Sequence, residues 1–232
     1  MTGSLRVATY NIHRCIGCDG IEAPDRIARV LNQMNADVTA LQEVGFDAVA
    51  PGNVLERLAR AMDAEPIAGP TLLDKRGRYG NAVLSRIVPD EVTRVDISVP
   101  GREPRGALAL TLRFNDKPLK IVATHLGLRP SERSYQVRRL LPLLARPSDD
   151  ILTIFLGDFN EWFLWARPLQ WIRHHFTKTG SAPATFPSRR PFLALDRIWV
   201  QPAHRVISLK PHVTPPAAMA SDHLPLVAEV SV

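Results

Sequence analysis

The sequence predicts an α/β fold with many strands, on three observations. Apolar or β-branched runs recur along the chain, and each ends abruptly in an Asn, Asp, Glu or His. Two segments carry apolar residues at alternating three- and four-residue spacing, the signature of one-sided helices. The 232 residues are 45% hydrophobic and 22% charged, ordinary for a globular chain and unlike a disordered one. That length suits one catalytic domain over 1–232, with neither repeat nor linker in view.

Taken in order, Leu5 to Tyr10 reads as a strand that runs into Asn11 and His13. Ile27, Val30, Leu31 and Met34 mark the first helix, and Val38 to Gln42 is a strand that delivers Glu43. Strand-like runs follow at 66–73, 80–87, 91–99 and 106–114, a pattern that predicts consecutive antiparallel pairing. Leu119 to Thr124 ends in His125, and Val137, Leu140, Leu141 and Leu144 mark a second helix, whose Arg133, Arg138 and Arg139 read as surface charge. Ile151 to Leu156 is a run suited to burial on both faces; Gly157 is expected to turn the chain so that Asp158 and Asn160 emerge at the carboxyl end. Leu195 precedes Asp196, and Ser221-Asp222-His223 opens a last strand over 224–230. The Pro-rich stretches at 181–191 and 211–216 read as ordered loops that lead into Asp196 and Asp222. A single Asp or Asn at a strand end is ordinary turn chemistry. Recurrence of such junctions with only Asn, Asp, Glu and His at the tips points to one shared site.

Net charge is +6, and part of it clusters in Lys75-Arg76-Gly77-Arg78 and Ser188-Arg189-Arg190. These loops read either as a positive rim that concentrates a phosphate-bearing substrate or as solvated surface. No apolar run approaches a membrane span, and the first 25 residues lack the apolar core of a signal peptide, so a cytoplasmic monomer is expected. Cys15 and Cys18 form a Cys-x-x-Cys pair, but Asp19-Gly20 follows as a turn, and only His13 offers a third zinc ligand. Two free thiols are the expectation.

The ordered pieces Thr9-Tyr10-Asn11-Ile12-His13, Leu41-Gln42-Glu43-Val44, Tyr79-Gly80-Asn81, Thr124-His125-Leu126, Gly157-Asp158-Phe159-Asn160, Leu195-Asp196-Arg197-Ile198 and Ser221-Asp222-His223-Leu224-Pro225 span residues 5 to 230. Together they resemble the endonuclease/exonuclease/phosphatase superfamily, the DNase I-like fold. The resemblance implies a four-layer α/β/β/α sandwich of two mixed β-sheets with a cleft along one edge. It also implies divalent-metal-dependent hydrolysis of phosphoesters, with Mg²⁺ as cofactor and Mn²⁺ as a substitute.

Under that resemblance the metal set is Asn11, Glu43 and Asp222, hard oxygen donors suited to Mg²⁺ rather than zinc. Asp196 and His223 form a carboxylate–imidazole pair, Asp158 orients or deprotonates water, and Asn160 donates to a phosphoryl oxygen. His125 is a donor to the phosphate or leaving group. Arg78, Tyr79 and Asn81 line the substrate pocket.

Shared motifs leave the substrate open: nucleic acid first, with a phospholipid headgroup or a small phosphoester as the alternative. A catalytically silent binding module would lack ligands, and here every expected position is filled. Glu161 to Ile172 holds three of the four tryptophans. If the segment is helical, Trp162, Trp165, Leu169, Ile172 and Phe176 share one face for the core, whereas Pro168 could instead begin a helix. An apolar patch beside the site would also suit an amphiphilic substrate or a peripheral contact with an anionic membrane.

Overall fold

A computed structural model describes residues 3–46, 53–74, 77–145, 151–176 and 182–232. Its elements are β1 (Ser4–Asn11), α1 (Pro24–Met34), β2 (Val38–Gly45), α2 (Val54–Met62), β3 (Glu65–Asp74), β4 (Gly77–Ser85), β5 (Pro89–Asp96) and β6 (Gly106–Phe114). There follow β7 (Lys117–His125), α3 (Pro130–Leu144), β8 (Leu152–Asp158), α4 (Arg167–His175), β9 (Asp196–Gln201), β10 (Val206–Pro211), α5 (Pro215–Ala220) and β11 (Leu226–Ser231).

The strands form two mixed sheets, ordered β10-β11-β1-β2-β4-β3 and β5-β6-β7-β8-β9. Each sheet contains one parallel pair, β1 with β2 and β7 with β8, crossed over by α1 and α3 respectively. A parallel pair needs such a crossover, and the helix then covers the outer face of its own sheet. Leu5, Val7, Val38, Ala40 and Val83 from one sheet meet Leu110, Ile121, Ile154, Leu156 and Val200 from the other in the central core. Outside, Ala8, Tyr10 and Leu41 pack on Ile27, Val30 and Leu31 of α1 and on α2 and α5, while Val122 and Phe155 pack on Val137 and Leu140 of α3 and Leu169 and Ile172 of α4. This is the four-layer DNase I-like sandwich. Each fully buried aliphatic side chain contributes roughly 1.5–3 kcal/mol of transfer free energy, so the central seam is a main source of stability.

Several sequence expectations need correction. β3 pairs with β4 and β5 with β6, but pairing does not continue from β4 to β5. The chain changes sheets between Ser85 and Pro89, anchored by Arg86, whose Nη1 donates to Asn35 Oδ1 and whose Nε donates to Met62 O. Gly157 does not turn the chain; it lies within β8, paired with Thr124 of β7. Its φ is +149°, and an added Cβ would lie against the Thr124 carbonyl. The turn comes instead at Asn160, where φ is +50°. The 211–216 stretch ends β10 at Pro211, passes through a loop at 212–214 and begins α5 at Pro215. Arg133 is buried and paired with Glu161, not surface charge.

Candidate active site

The carboxyl ends of β1, β2, β7 and β8 and the amino ends of β9 and β11 gather at one edge of the sandwich. In the five-stranded sheet the register sets His125 beside Asp158, and Asp158 opposite Asp196, so three neighbouring strands present three titratable groups in a row. The six-stranded sheet contributes Asn11 from β1, Glu43 from β2 and His223 from the loop that precedes β11.

Glu43 owes its direction to an irregularity. Its φ is +61°, and the β2–β4 register shifts between Leu41 and Val44. A bulge of this kind re-aims one side chain while the strand continues. The carboxylate thereby meets Asn11, whose Nδ2 donates to Glu43 Oε1 at 3.0 Å and to Asp158 Oδ2 at 3.1 Å. Asn11 Oδ1 accepts the His13 backbone N–H at 3.1 Å. That donor fixes the amide orientation. Asn11 is therefore a buried donor between two carboxylates, and its Oδ1, the expected oxygen ligand, keeps a second lone pair beside the His13 N–H.

Asp158 is 1% exposed, with Oδ1 taking the Asn160 N–H at 2.9 Å. Burial pushes its carboxyl up to about 6, with His223 pulling downward and Asp196 upward. Asp196 is fully buried, and its Oδ2 accepts from Thr185 Oγ1 at 2.6 Å and faces His223 Nδ1 at 2.8 Å. Burial alone would lower the His223 pKa. The surrounding carboxylates Asp196, Asp158 and Asp222 outweigh it and push the ring up to about 10, so it is a cation near neutral pH. Its Nε2 stands 3.7 Å from Asp158 Oδ2.

His125 is the opposite case. Arg105 Nη1 donates to its Nδ1 at 3.0 Å, so Nε2 carries the ring proton of the neutral form, with Asn160 Nδ2 at 3.0 Å and Asp158 Oδ2 at 3.6 Å. Burial, then Arg105 and His223, hold its pKa well below the ordinary histidine range. The imidazole is thus enclosed and neutral, with Nε2–H as its one donor. Asn160 Nδ2 donates to Leu126 O at 2.9 Å, which takes one of the amide's two N–H groups.

Asp222 is 40% exposed along its side chain, and its Oδ1 meets Ser221 Oγ at 3.3 Å and His13 Nδ1 at 3.8 Å. Tyr79 is buried, and burial and then Glu43, which it hydrogen-bonds, shift its hydroxyl upward; Arg14 lies 4.0 Å over its ring. Asn81 donates to Gly106 O at 2.9 Å and lines a cleft of about 470 Å³ with Thr71, Arg94, Asp96 and Arg105. Arg78 is exposed beside it in sequence. Arg189 and Arg190 are exposed on the loop over α5, whereas Lys75 and Arg76 lie outside the described residues. Cys15 is buried and pushed up to about 12 by desolvation, and Cys18 Sγ sits 3.3 Å from Ser188 Oγ; both thiols are free.

Two groups were invisible in the sequence reading. Arg105 precedes β6 in an Arg-Glu-Pro-Arg run that looks like an exposed turn, yet it is 6% exposed. Thr185 sits in a Pro-rich stretch with nothing to mark it, yet it holds Asp196 and, through its carbonyl, Leu224 N.

Two groups of donors at this edge could face a divalent cation. Ligand atoms of Asp158, Asp196 and His223 lie within 4.8 Å of one another, with His223 Nδ1 already engaged by Asp196 Oδ2 at 2.8 Å. Glu43, half-buried and aimed inward, together with the Asp158 carboxylate beyond Asn11, suits a hard oxygen-seeking cation better.

Comparison with known proteins agrees. The family model for the endonuclease/exonuclease/phosphatase family matches residues 8–223. The chain is 33% identical to YbhP of Escherichia coli K12, an uncharacterized protein, over 98% of this chain and 96% of that one. The endonuclease/exonuclease/phosphatase from Beutenbergia cavernae superposes with a TM-score of 0.79 at 23% identity, covering 99% of this chain and 72% of that one. D. rerio TDP2 complexed with single strand DNA product gives 0.70 at 19% identity, covering 98% of each chain. With strand ends, sheet order and the matched span all in accord, the chain belongs to the endonuclease/exonuclease/phosphatase family of phosphoesterases.

Proposed function

We propose that this protein hydrolyses phosphodiester bonds with the help of a divalent cation, and that its substrate is nucleic acid. The observation that carries the reading is the Asp196–His223–Asp158 alignment: a cationic imidazole, fixed at Nδ1 by one buried carboxylate, directs Nε2 toward a second. A group seated between Nε2 and Asp158 would meet a donor on one side and an acceptor on the other.

Asp158 orients the attacking water and takes its proton, a task suited to a carboxyl raised to about 6. His223 donates to a phosphoryl oxygen as negative charge builds there. Asn11 holds Glu43 and Asp158 at a set separation, and Arg105, with Asn160 beside the ring, holds His125 neutral against Asp158. Glu43 would hold Mg²⁺ or Mn²⁺, which supplies Lewis-acid stabilisation of the phosphate when bound. Arg78, Tyr79 and Asn81 line the approach from β4. All of this lies within one catalytic domain.

Nucleic acid is favoured by the +6 net charge, by the exposed Arg189 and Arg190 on the loop that carries Thr185, and by the single-strand DNA product held by the similarly folded TDP2. The test is a parallel hydrolysis screen with Mg²⁺ or Mn²⁺ on plasmid, abasic-site duplex, single-stranded DNA, RNA, anionic phospholipid and inositol phosphates. Glu43→Gln and His223→Ala serve as blanks. Cleavage of nucleic acid by the wild type alone supports the reading. Release of a headgroup or of inorganic phosphate with nucleic acid untouched overturns the substrate, and activity equal in the blanks overturns the site.

A further inference from the structure

Two residues beyond Asn160 the chain departs from the core-packing expectation. α4 begins only at Arg167, with Pro168 in its first turn, so Trp162, Phe163, Leu164 and Trp165 form a loop. Leu169, Ile172 and Phe176 do enter the core, but all four loop residues are exposed, Trp165 to 71%. Leu128, on the loop between β7 and α3, is 69% exposed.

These two apolar loops share one clasp. The buried Arg133 side chain donates from Nε and Nη2 to Glu161 Oε2 at 3.0 and 2.8 Å and from Nη1 to Leu128 O at 2.6 Å. Arg197 Nη2 donates to Glu161 O at 3.0 Å, and Glu161 Oε1 takes the Phe163 N–H at 3.1 Å. Phe163 O then accepts from Ala166 N, and Trp165 O from Gln170 Nε2. The hydrogen bonds just named hold the backbone of Trp162–Trp165, and the exposed rings project from that support.

On the two segments themselves the exposed charges are arginines, while the exposed Asp96 of β5 faces Arg139 from outside them. Along 126–145 and 159–176 the carboxylates are Glu132 and Glu161, both buried. Exposed on the same segments are Arg129, Arg138, Arg139 and Arg167. Outward Trp, Phe and Leu on segments whose exposed charges are arginines match the headgroup zone of an anionic bilayer. Base stacking fits less well. Trp162–Phe163 and Phe163–Trp165 pack against each other at 5.1 Å with tilts of 42° and 38°, and Leu128 and Leu164 offer no π-face.

We infer that Leu128 and Trp162–Trp165 form a docking rim that seats the protein peripherally on anionic lipid bilayers. Among the described residues no helix is long and apolar enough to cross a membrane, so attachment here is interfacial. Because Glu161 follows Asn160 directly, docking brings the Asp158 end of β8 beside the headgroups. This inference goes beyond the hydrolytic reading and stands or falls without it.

The experiment is co-sedimentation of the full chain with vesicles of phosphatidylcholine alone and of phosphatidylcholine mixed with phosphatidylglycerol, together with tryptophan emission. Binding to the mixed vesicles with a blue shift, weakened at least roughly tenfold in Trp162→Ser/Trp165→Ser and reduced in Arg129→Glu/Arg167→Glu, supports the inference. The denaturation midpoint of each variant confirms that it is folded, and Glu43→Gln should bind like the wild type. No partition into anionic vesicles, or equal partition by the serine variant, overturns it. So does an emission response to single-stranded oligonucleotide in place of vesicles, which would assign the rings to base stacking.

Discussion

His223 places its Nδ1 2.8 Å from Asp196 Oδ2, although 27 positions separate them, one just before β11 of the six-stranded sheet and the other on β9 of the five-stranded sheet. Asn11 and Asp158 repeat the relationship: an amide at the end of β1 donates to a carboxylate at the end of β8. The polar edge is thus stitched across the same seam that the aliphatic core fills. Catalytic geometry and sheet packing are one mechanical problem, and substitutions at either are felt at the other.

The His223–Asp196 bond gives stability a pH dependence. A histidine raised from about 6.5 to about 10 contributes stability that is fully present below about pH 6.5 and is lost as pH rises through about 10. Denaturant titrations across that window should show the wild type weakening toward alkaline pH. Asp196→Asn should flatten that slope and lower hydrolysis at least roughly 10²-fold. A slope unchanged in Asp196→Asn would mean another group is responsible.

Removal of the cation should silence hydrolysis without unfolding the chain. Chelation should abolish turnover, and added Mg²⁺ or Mn²⁺ should restore it. Glu43→Gln, isosteric at a positive-φ site, should leave the circular dichroism spectrum intact and lower the rate by at least roughly 10²-fold at any Mg²⁺ concentration. Normal turnover by that variant would remove Glu43 from the site.

Gly157→Ala should be harmful out of proportion to its size. The new methyl meets the Thr124 carbonyl within a parallel ladder, and φ of +149° suits only glycine, so a loss of roughly 2–4 kcal/mol is expected in urea unfolding. An alanine variant as stable as the wild type would show that β7 and β8 can part without cost.

How much of this was legible follows from what a one-dimensional pattern carries. Strand-to-polar junctions named Asn11, Glu43, His125, Asp158, Asp196 and His223, because a buried apolar run makes the residue that ends it conspicuous. Arg105 and Thr185 were hidden, since their partners come from other strands and their own neighbourhoods look like turns. Donor direction was also hidden: Asn11 reads equally well as ligand or donor until the His13 N–H marks which amide atom is the oxygen. The tryptophan segment misled because its spacing matches a helix, while Pro168 delays the first turn past Trp165.

Arg133 is the clearest case of a charge misread as surface. Glu161→Ala leaves its guanidinium buried without a carboxylate and should destabilise the fold by about 3–5 kcal/mol. Replacing both together, as Arg133→Met with Glu161→Leu, should recover much of that loss. Thermal unfolding of the single and double variants measures the difference, and additive losses would contradict a coupled pair.

The order in which the chain supplies its sheets has a temporal consequence. The five-stranded sheet is built from one unbroken stretch, 89–201, whereas β11 must later insert between β10 and β1. During synthesis Asn11, Glu43, Asp158 and Asp196 are therefore all made before His223. Until β11 is in place, β1 is an open edge and the base pair lacks its imidazole. A chain made only as far as β10 would lack that imidazole, and the proposed hydrolytic capacity would await closure of the six-stranded sheet.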